Sequence, residues 1–268
     1  MIAINTLSKA IDCPSKFLFE LQRIPSKERT KAKSRNNKND STEEQTMGII
    51  FESSIQHIML SGNHTQEHRY EQVISWLRDA EKKKRKICIN ELSPPWDETW
   101  IKRDSVLNTG LVRSQWYKIR KAVKRWKNGD LPWVDRTVDW SREEKIDAKI
   151  ELEAAENKYQ FLAIGRVDLY GKGEDTDYVV ELKMTKPNTL HKARAQASLY
   201  VKVLESINPS SSVDGYVFHS TELIQHPYSE EEWGNLILRG LSGEVQPTYF
   251  NCDGCMNEGC TERFVDGR

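Results

Sequence analysis

Apolar and polar positions recur at helical spacing through the first half of the chain. Side chains three and four residues apart are apolar in four segments, which indicates amphipathic helices with one face on a core. These segments are Leu7–Leu21, Met47–Leu60, Thr65–Lys84 and Arg113–Lys127. Cys13-Pro14 predicts a break in the first helix, because proline lacks the amide hydrogen that a helix interior needs. Residues 25–45 hold almost nothing to bury, so we expect a mobile surface loop there, with a DNA-contacting loop as the alternative.

In the second half the spacing changes to two, which is typical of strands with one buried face. Strands are predicted at Lys145–Ala154, Tyr159–Tyr170 and Tyr178–Lys183, joined by turns at residues 156–158 and 171–173. Helical spacing returns after Pro187. The last predicted elements are a helix at Lys192–Glu205, strands at Val213–Phe218 and Glu222–Gln225, and a helix at Glu230–Arg239.

This order of elements predicts an α/β fold, with a mixed central sheet flanked by helices. The length of 268 residues suits a single domain, 1–268, in which residues 143–226 form the sheet and its helix. No stretch approaches the roughly twenty apolar residues of a membrane span, so we expect a cytoplasmic protein with no membrane partner. The formal net charge is zero, so the distribution of charge says more about partners than its total.

Residues 93–140 form a tryptophan-rich, basic insert whose helix separates two kinds of side chain. Trp116, Ile119, Val123 and Trp126 share one face, which indicates packing in the core. The other face is strongly positive and is predicted to follow a nucleic-acid backbone, since phosphate contacts supply most sequence-independent affinity. A basic face that is merely solvated is the alternative. The candidate contacts are Arg113, Lys118, Lys121, Lys124 and Arg125.

Three charged side chains are predicted to converge on the sheet. Residues two apart in a strand point the same way, so Glu181 and Lys183 share a face, and Asp168 lies near the end of the preceding strand. Two carboxylates aimed at one point favour a divalent cation between them, and oxygen ligands suit magnesium or manganese. An exposed hairpin with an ordinary salt bridge is the alternative.

Two further positions extend this pattern. Gln196 and Tyr200 lie four apart on the next predicted helix, so both project from one face. The succession G-x-x-D at Gly165–Asp168, E-x-K at Glu181–Lys183 and Q-x-x-x-Y resembles the PD-(D/E)XK nuclease superfamily, in its RecB-like branch. The resemblance implies a restriction-endonuclease-like core and a metal-dependent exonuclease acting on single-stranded DNA ends. It also implies a context of CRISPR adaptation and antiviral defence, or of DNA repair and recombination, with partner proteins of a CRISPR or helicase complex.

The resemblance also implies roles for individual residues. A histidine from an upstream helix is a metal ligand in this branch, and His57, in Gly48-x8-His57, is the matching position. Lys183 would assist the attacking water or the phosphate charge, while Gln196 and Tyr200 would position the substrate or support Lys183. The implied metal ligands are His57, Asp168, Glu181 and the backbone carbonyl of Leu182.

Four of the five cysteines form a second candidate site. Cys252, Cys255 and Cys260 follow a C-x2-C-x4-C spacing, which suits zinc or an iron-sulfur cluster, and Cys13 is the candidate fourth ligand. The resemblance favours a [4Fe-4S] cluster that joins residues 1–22 to residues 245–268. Cys88 has no partner nearby in the sequence and is interpreted as a small buried residue on a strand.

Two other functions fit parts of the pattern. A cysteine-cluster DNA-binding adaptor could keep the fold without cutting, although every charged site position is present. A restriction-type duplex endonuclease would share E-x-K but fits the upstream histidine and the cysteines poorly. The chain has no G-x-x-x-x-G-K-[ST] motif, so it encodes no helicase motor of that kind.

Overall fold

The structure is a computed structural model that describes residues 2–3, 43–60, 64–97, 100–101, 104–133, 137–154, 157–184, 190–219 and 222–225. Several predictions concern positions outside these residues. They are the helices at residues 7–21 and 230–239, residues 25–42 of the loop predicted at 25–45, and the cluster ligands Cys13, Cys252, Cys255 and Cys260.

Five α-helices are present in the described residues. They are α1, Glu43–Met59; α2, Gln66–Lys82; α3, Asp104–Leu107; α4, Arg113–Asn128; and α5, Leu190–Ile207. A short 3-10 helix covers Ile89–Glu91. Helix α1 begins at Glu43 rather than at Met47, so the last three residues of the loop predicted at 25–45 are helical; acidic Glu43 and Glu44 suit the positive end of a helix.

Helices α1, α2 and α4 pack together on one side of the sheet around an aromatic core. The predicted apolar stripe of α4 is buried, as expected: Trp116, Ile119, Val123 and Trp126 are each at most 1% exposed. Trp126 packs edge-on against Phe218, with ring centroids 4.9 Å apart, and so joins the helices to the sheet. Most tryptophans of the insert therefore stabilise the core.

The sheet has six strands in the described residues, with parallel and antiparallel pairs. They are β1, Ile2–Ala3; β2, Val138–Ala154; β3, Asn157–Gly173; β4, Thr176–Lys183; β5, Ser212–His219; and β6, Glu222–Gln225. Strands β2, β3 and β4 form the predicted antiparallel meander. Helix α5 is the crossover that allows β4 and β5 to run parallel. The prediction of an α/β fold with a mixed sheet flanked by helices is confirmed.

Strand β3 is the centre of this arrangement, because three strands pair with it. β2 pairs along its whole length, so β1 and β4 share its other edge. β1 pairs at Ala163 and Ile164, and β4 pairs only at residues 169–171. Among the described residues, the part of β3 between these two pairings, residues 165–168, has no partner strand on that edge.

Two strand boundaries and the position of Cys88 differ from the sequence predictions. Strand β2 begins at Val138, before the predicted start at Lys145, and β3 continues through Gly173 instead of turning at Gly171. At Gly171 the strands lie so close that an added Cβ would meet Trp140 at 2.8 Å, so glycine there serves close packing within a strand. Cys88 lies just before the 3-10 helix, half-buried, and not on a named strand.

Among the described residues, no helix combines the length and apolar character needed to cross a membrane.

Candidate active site

Strands β3 and β4 separate at the predicted site. Their ladder ends with Leu169 opposite Val180, and the next pair in that register is Asp168 opposite Glu181. This pair is not part of the ladder; instead, Asp168 Oδ2 accepts a hydrogen bond of 2.9 Å from the Leu182 N–H. The separation of the strands therefore places two carboxylates side by side.

Lys183 lies between these carboxylates. Its Nζ donates to Asp168 Oδ2 at 3.2 Å and to Glu181 Oε2. Glu181 is only 1% exposed, whereas the side chain of Lys183 keeps 27% of its surface exposed. The structure thus brings together Asp168, Glu181 and Lys183, which is the convergence that strand periodicity predicted.

The electrostatics of this group show how strongly it needs positive charge. Burial, and then the nearby Asp168, raises the pKa of Glu181 from its ordinary value to about 8. Burial alone would lower the pKa of Lys183, but the carboxylates of Asp168 and Glu181 outweigh it and hold that pKa well above its ordinary value. Lys183 therefore stays charged.

Helix α1 adds a third carboxylate. Glu52 lies on α1, and burial and Asp168 together raise its pKa well above the ordinary value. Gln56, one turn later, donates from Nε2 to Glu52 Oε1 at 3.2 Å and to the Asp168 carbonyl at 3.0 Å. The helix and the strand are thus tied together at the site.

Strand β2 adds a fourth carboxylate, Glu143, at a strained position. The ladder pairs Arg142 with Leu169 and Glu144 with Val167, which leaves Glu143 opposite Asp168 and outside the ladder. Its φ of 53° lies in the left-handed region, which a residue with a Cβ adopts at a cost of about 1–3 kcal/mol. Such strain is typical of functional sites.

The donor set fits a divalent cation. One oxygen each of Glu52, Glu143 and Asp168 lies within 4.8 Å of the others. Ligand oxygens on opposite sides of magnesium lie about 4.2 Å apart, so a small adjustment would let one ion contact all three. Oxygen donors favour magnesium or manganese, and the added charge would relieve the repulsion by Asp168 that, after burial, raises the pKa of Glu52.

His57 is not part of this carboxylate group. It follows Glu52 by five positions on α1, so the two side chains leave the helix in different directions. Its ring lies 6.3 Å from that of Trp100, and burial lowers its pKa. Its Nε2 is buried without a hydrogen-bond partner among the described residues. The structure brings Glu52, rather than His57, to the carboxylates.

The two residues predicted on α5 lie in different surroundings. Tyr200 is buried and donates its hydroxyl to the Arg166 carbonyl at 2.8 Å, so it supports β3 two residues before Asp168. Burial, followed by Glu181 and Asp168, raises its pKa above the ordinary value, which keeps it a donor. Gln196 is half-buried and, among the described residues, makes no hydrogen bond to the carboxylates or to Lys183.

A cavity of about 510 Å³ adjoins the carboxylates. It shares Glu52 and Glu143 with them and is otherwise lined by α1, β2, Arg166 of β3 and the segment that holds Trp100. The lining residues are Ile49, Glu52, Ser53, Gln56, Trp100, Ile101, Arg142, Glu143 and Arg166. The carboxylate group therefore has space beside it for a ligand.

The predicted basic face of α4 is exposed. Arg113, Lys118, Lys121 and Arg125 are exposed and Lys124 is half-buried. Tyr117 lies among them, 49% exposed, with the Arg120 guanidinium 5.3 Å from its ring centroid. Arg120 itself forms a largely buried ion pair with Glu81 of α2. The exposed aromatic ring of this helix is therefore surrounded by cations.

No protein-family model matches the chain, and no curated protein matches it significantly. Among solved structures it is similar to one described as "Crystal structure of SSO0001", with 16% sequence identity and a TM-score of 0.34. The similarity covers 47% of this chain and 62% of that protein, so it spans less than two thirds of the length of either.

Sequence reasoning missed Glu52, Gln56 and Glu143. The pair Glu52 and Gln56 has a signal, the i, i+4 spacing that places two polar side chains on one face of the predicted helix. Glu143 could be found only from the register of β2 on β3, because it lies two residues before the predicted start of this strand at Lys145. Residues separated by more than a hundred positions meet here only through the fold.

Proposed function

We propose that the protein is a metal-dependent deoxyribonuclease that hydrolyses phosphodiester bonds at single-stranded DNA ends, on the restriction-endonuclease-like core that the resemblance implies. The observation that carries the proposal is the contact of Lys183 with both Asp168 and Glu181. One cation among several crowded carboxylates, two of which line a cavity, is an arrangement suited to phosphate chemistry.

The divalent cation would be held by Glu52, Glu143 and Asp168, with Glu181 and the Leu182 carbonyl as further ligands by resemblance. When bound, it would supply positive charge to the scissile phosphate and make a water more acidic. The resemblance implies His57 as a further ligand. Substitution of Glu52 and of His57, one at a time, tests which of the two binds the metal.

The chain's own residues perform the remaining tasks. Lys183 stays protonated and is partly exposed, so its Nζ can donate a hydrogen bond to a phosphate oxygen or to the attacking water. Gln56 fixes the distance between Glu52 and Asp168, and Tyr200 holds β3 in place two residues away. These contacts pre-organise the site on rigid elements.

The [4Fe-4S] cluster of Cys13, Cys252, Cys255 and Cys260 is proposed by resemblance, with zinc as the alternative. It would be structural, since it closes a loop almost as long as the chain.

The test is cleavage of labelled DNA by the variants Asp168→Asn, Glu181→Gln and Lys183→Met. Manganese-dependent cleavage of single strands is expected to disappear in each, with the circular dichroism spectrum retained. Asp147→Asn and Lys149→Met are matched controls, because both residues lie on β2 away from the carboxylate group. Cleavage that is unchanged in the three variants would overturn the proposal.

Comparison of substrates separates the rival functions. Equal rates on blunt duplex and single strands would indicate a duplex endonuclease. DNA binding without cleavage under any divalent ion would indicate the adaptor. Rapid cleavage of single strands and single-stranded overhangs is the result expected here.

A further inference from the structure

Arg142 is a fixed cation on the wall of the cavity. Its guanidinium carbon lies 3.9 Å from the centroid of the Trp100 ring, so the ring packs against the charged group in a cation–π contact. Arg142 precedes Glu143, the strained residue opposite Asp168, and both line the cavity. Trp100 therefore holds the guanidinium next to the carboxylate group. Because the indole ring is uncharged, it does not neutralise the charge of Arg142.

The guanidinium of Arg142 keeps donors available for a ligand. Within the described part of the chain, no carboxylate or carbonyl forms a hydrogen bond with it, although the side chain is half-buried. Arg166, on the same cavity, is paired: its Nη1 lies 3.0 Å from Glu143 Oε2. Burial lowers the pKa of Arg142, yet a guanidinium stays charged at any physiological pH. Its planar N–H donors match two phosphate oxygens at once.

We propose that Arg142, held on Trp100, binds the phosphate next to the bond that is cut, while one nucleotide of the strand occupies the cavity. This inference rests on the proposed nuclease function and names two positioning residues for it. A cavity of about 510 Å³ is within the range of roughly 300–1,000 Å³ of small-molecule sites and accommodates a nucleotide. Arg142 adds positive charge to a cavity that Glu52 and Glu143 also line, beyond the charge of Arg166, which is already paired with Glu143.

The experiment measures binding of single-stranded oligonucleotides by fluorescence anisotropy, with Ca²⁺ in place of Mn²⁺ so that the strand is not cut. Each oligonucleotide carries one neutral methylphosphonate at a different position. In the unsubstituted protein, the methylphosphonate next to the cleaved bond is expected to weaken binding about tenfold, the effect of losing one charge-assisted hydrogen bond. In Arg142→Ala, binding is expected to be weaker by about the same factor of ten, and that same methylphosphonate should have no further effect.

Three other variants define the role of this cation. Arg142→Lys keeps the charge and the stem, so it should fold and recover part of the affinity, because a point charge replaces the bidentate donor. Trp100→Ala should weaken binding like Arg142→Ala, and Trp100→Phe should restore it. Lys149→Ala, at a cation further along β2, should leave the methylphosphonate pattern unchanged.

A methylphosphonate pattern that is identical in Arg142→Ala and in the unsubstituted protein would overturn the inference. If Asp168→Asn and Lys183→Met still abolish cleavage in that case, the nuclease proposal stands alone. If the unsubstituted protein neither binds nor cuts DNA, both proposals are wrong.

Discussion

Gln56 donates a hydrogen bond of 3.0 Å to the backbone carbonyl of Asp168, across 112 positions of sequence. The same amide nitrogen lies 3.2 Å from Glu52 Oε1. One side chain on α1 therefore sets the position of a carboxylate on its own helix relative to a carboxylate on β3. The geometry of the candidate metal site therefore depends on this contact as well as on the ligands themselves.

The first prediction concerns this hydrogen bond. Gln56→Leu keeps the approximate size of the side chain but removes both hydrogen bonds, so the Asp168 carbonyl no longer has its partner on α1. We expect the free energy of unfolding to fall by about 1–3 kcal/mol and manganese-dependent cleavage to fall by at least about tenfold. Urea denaturation and cleavage kinetics measure the two effects. Gln66→Leu, at an exposed glutamine that begins α2, is the control. Full activity in Gln56→Leu would show that the hydrogen bond does not position the site.

The second prediction separates the two candidate ligands of α1. Glu52→Gln should lower the affinity for Mn²⁺ by about tenfold or more, because it removes a negative oxygen donor from the carboxylate group. His57→Gln should leave Mn²⁺ affinity almost unchanged, since His57 lies away from that group against Trp100. Isothermal titration with Mn²⁺ measures both. The reverse result would establish His57 as the ligand, as the resemblance implies.

The third prediction is the pH dependence that follows from Glu181. In the metal-free protein its pKa is raised to about 8, so the folded state retains a proton that the unfolded state loses near 4.5. Its contribution to the free energy of unfolding is fully present below about 4.5 and is lost as the pH rises through about 8.

Metal binding should show the opposite trend. A cation binds the carboxylate and displaces the proton, so the affinity for Mn²⁺ should rise by up to about tenfold per pH unit between roughly pH 6 and 8. Thermal unfolding with and without Mn²⁺, over this range, measures the effect. Glu181→Gln should flatten the profile, and an affinity that is independent of pH in the unsubstituted protein would contradict the assignment.

The fourth prediction concerns the basic face of α4. Substitution of Lys121, Lys124 and Arg125 by glutamine should weaken binding of single-stranded DNA. The slope of log affinity against log salt should decrease by about 0.7 for each phosphate that is no longer neutralised. Lys83→Gln with Lys84→Gln, in the exposed basic run after α2, is the control. An unchanged salt slope in the triple variant would show that this face is only solvated.

The fifth prediction concerns the cysteines. Protein purified without oxygen should be brown, with broad absorbance near about 400 nm that disappears in Cys252→Ser. Cys88→Ser should keep the colour, because Cys88 Sγ contacts the Asn108 carbonyl at 3.2 Å, far in sequence from the other cysteines. A colourless protein with one zinc per chain would instead identify a zinc site.

Local periodicity was enough to predict most of the elements. The period of two placed Glu181 and Lys183 on one face of β4, and the helical period placed Trp116 and Trp126 in the core, since both properties depend on residues close in sequence. The boundaries were less well predicted. Val138 to Trp140 lie in β2 because residues 171–173 of β3 pair with them, and no local signal marks that pairing.

The sequence alone therefore determined the α/β class and the group formed by Asp168, Glu181 and Lys183. Only the tertiary structure decided which residues surround that group. Glu52 and Glu143 meet Asp168 because α1 packs at the point where β3 and β4 separate and because β2 is in register with β3. Contacts of this kind depend on the packing of elements far apart in the chain. The local sequence around Glu52 or Glu143 does not distinguish them from other glutamates, so it does not reveal the contact.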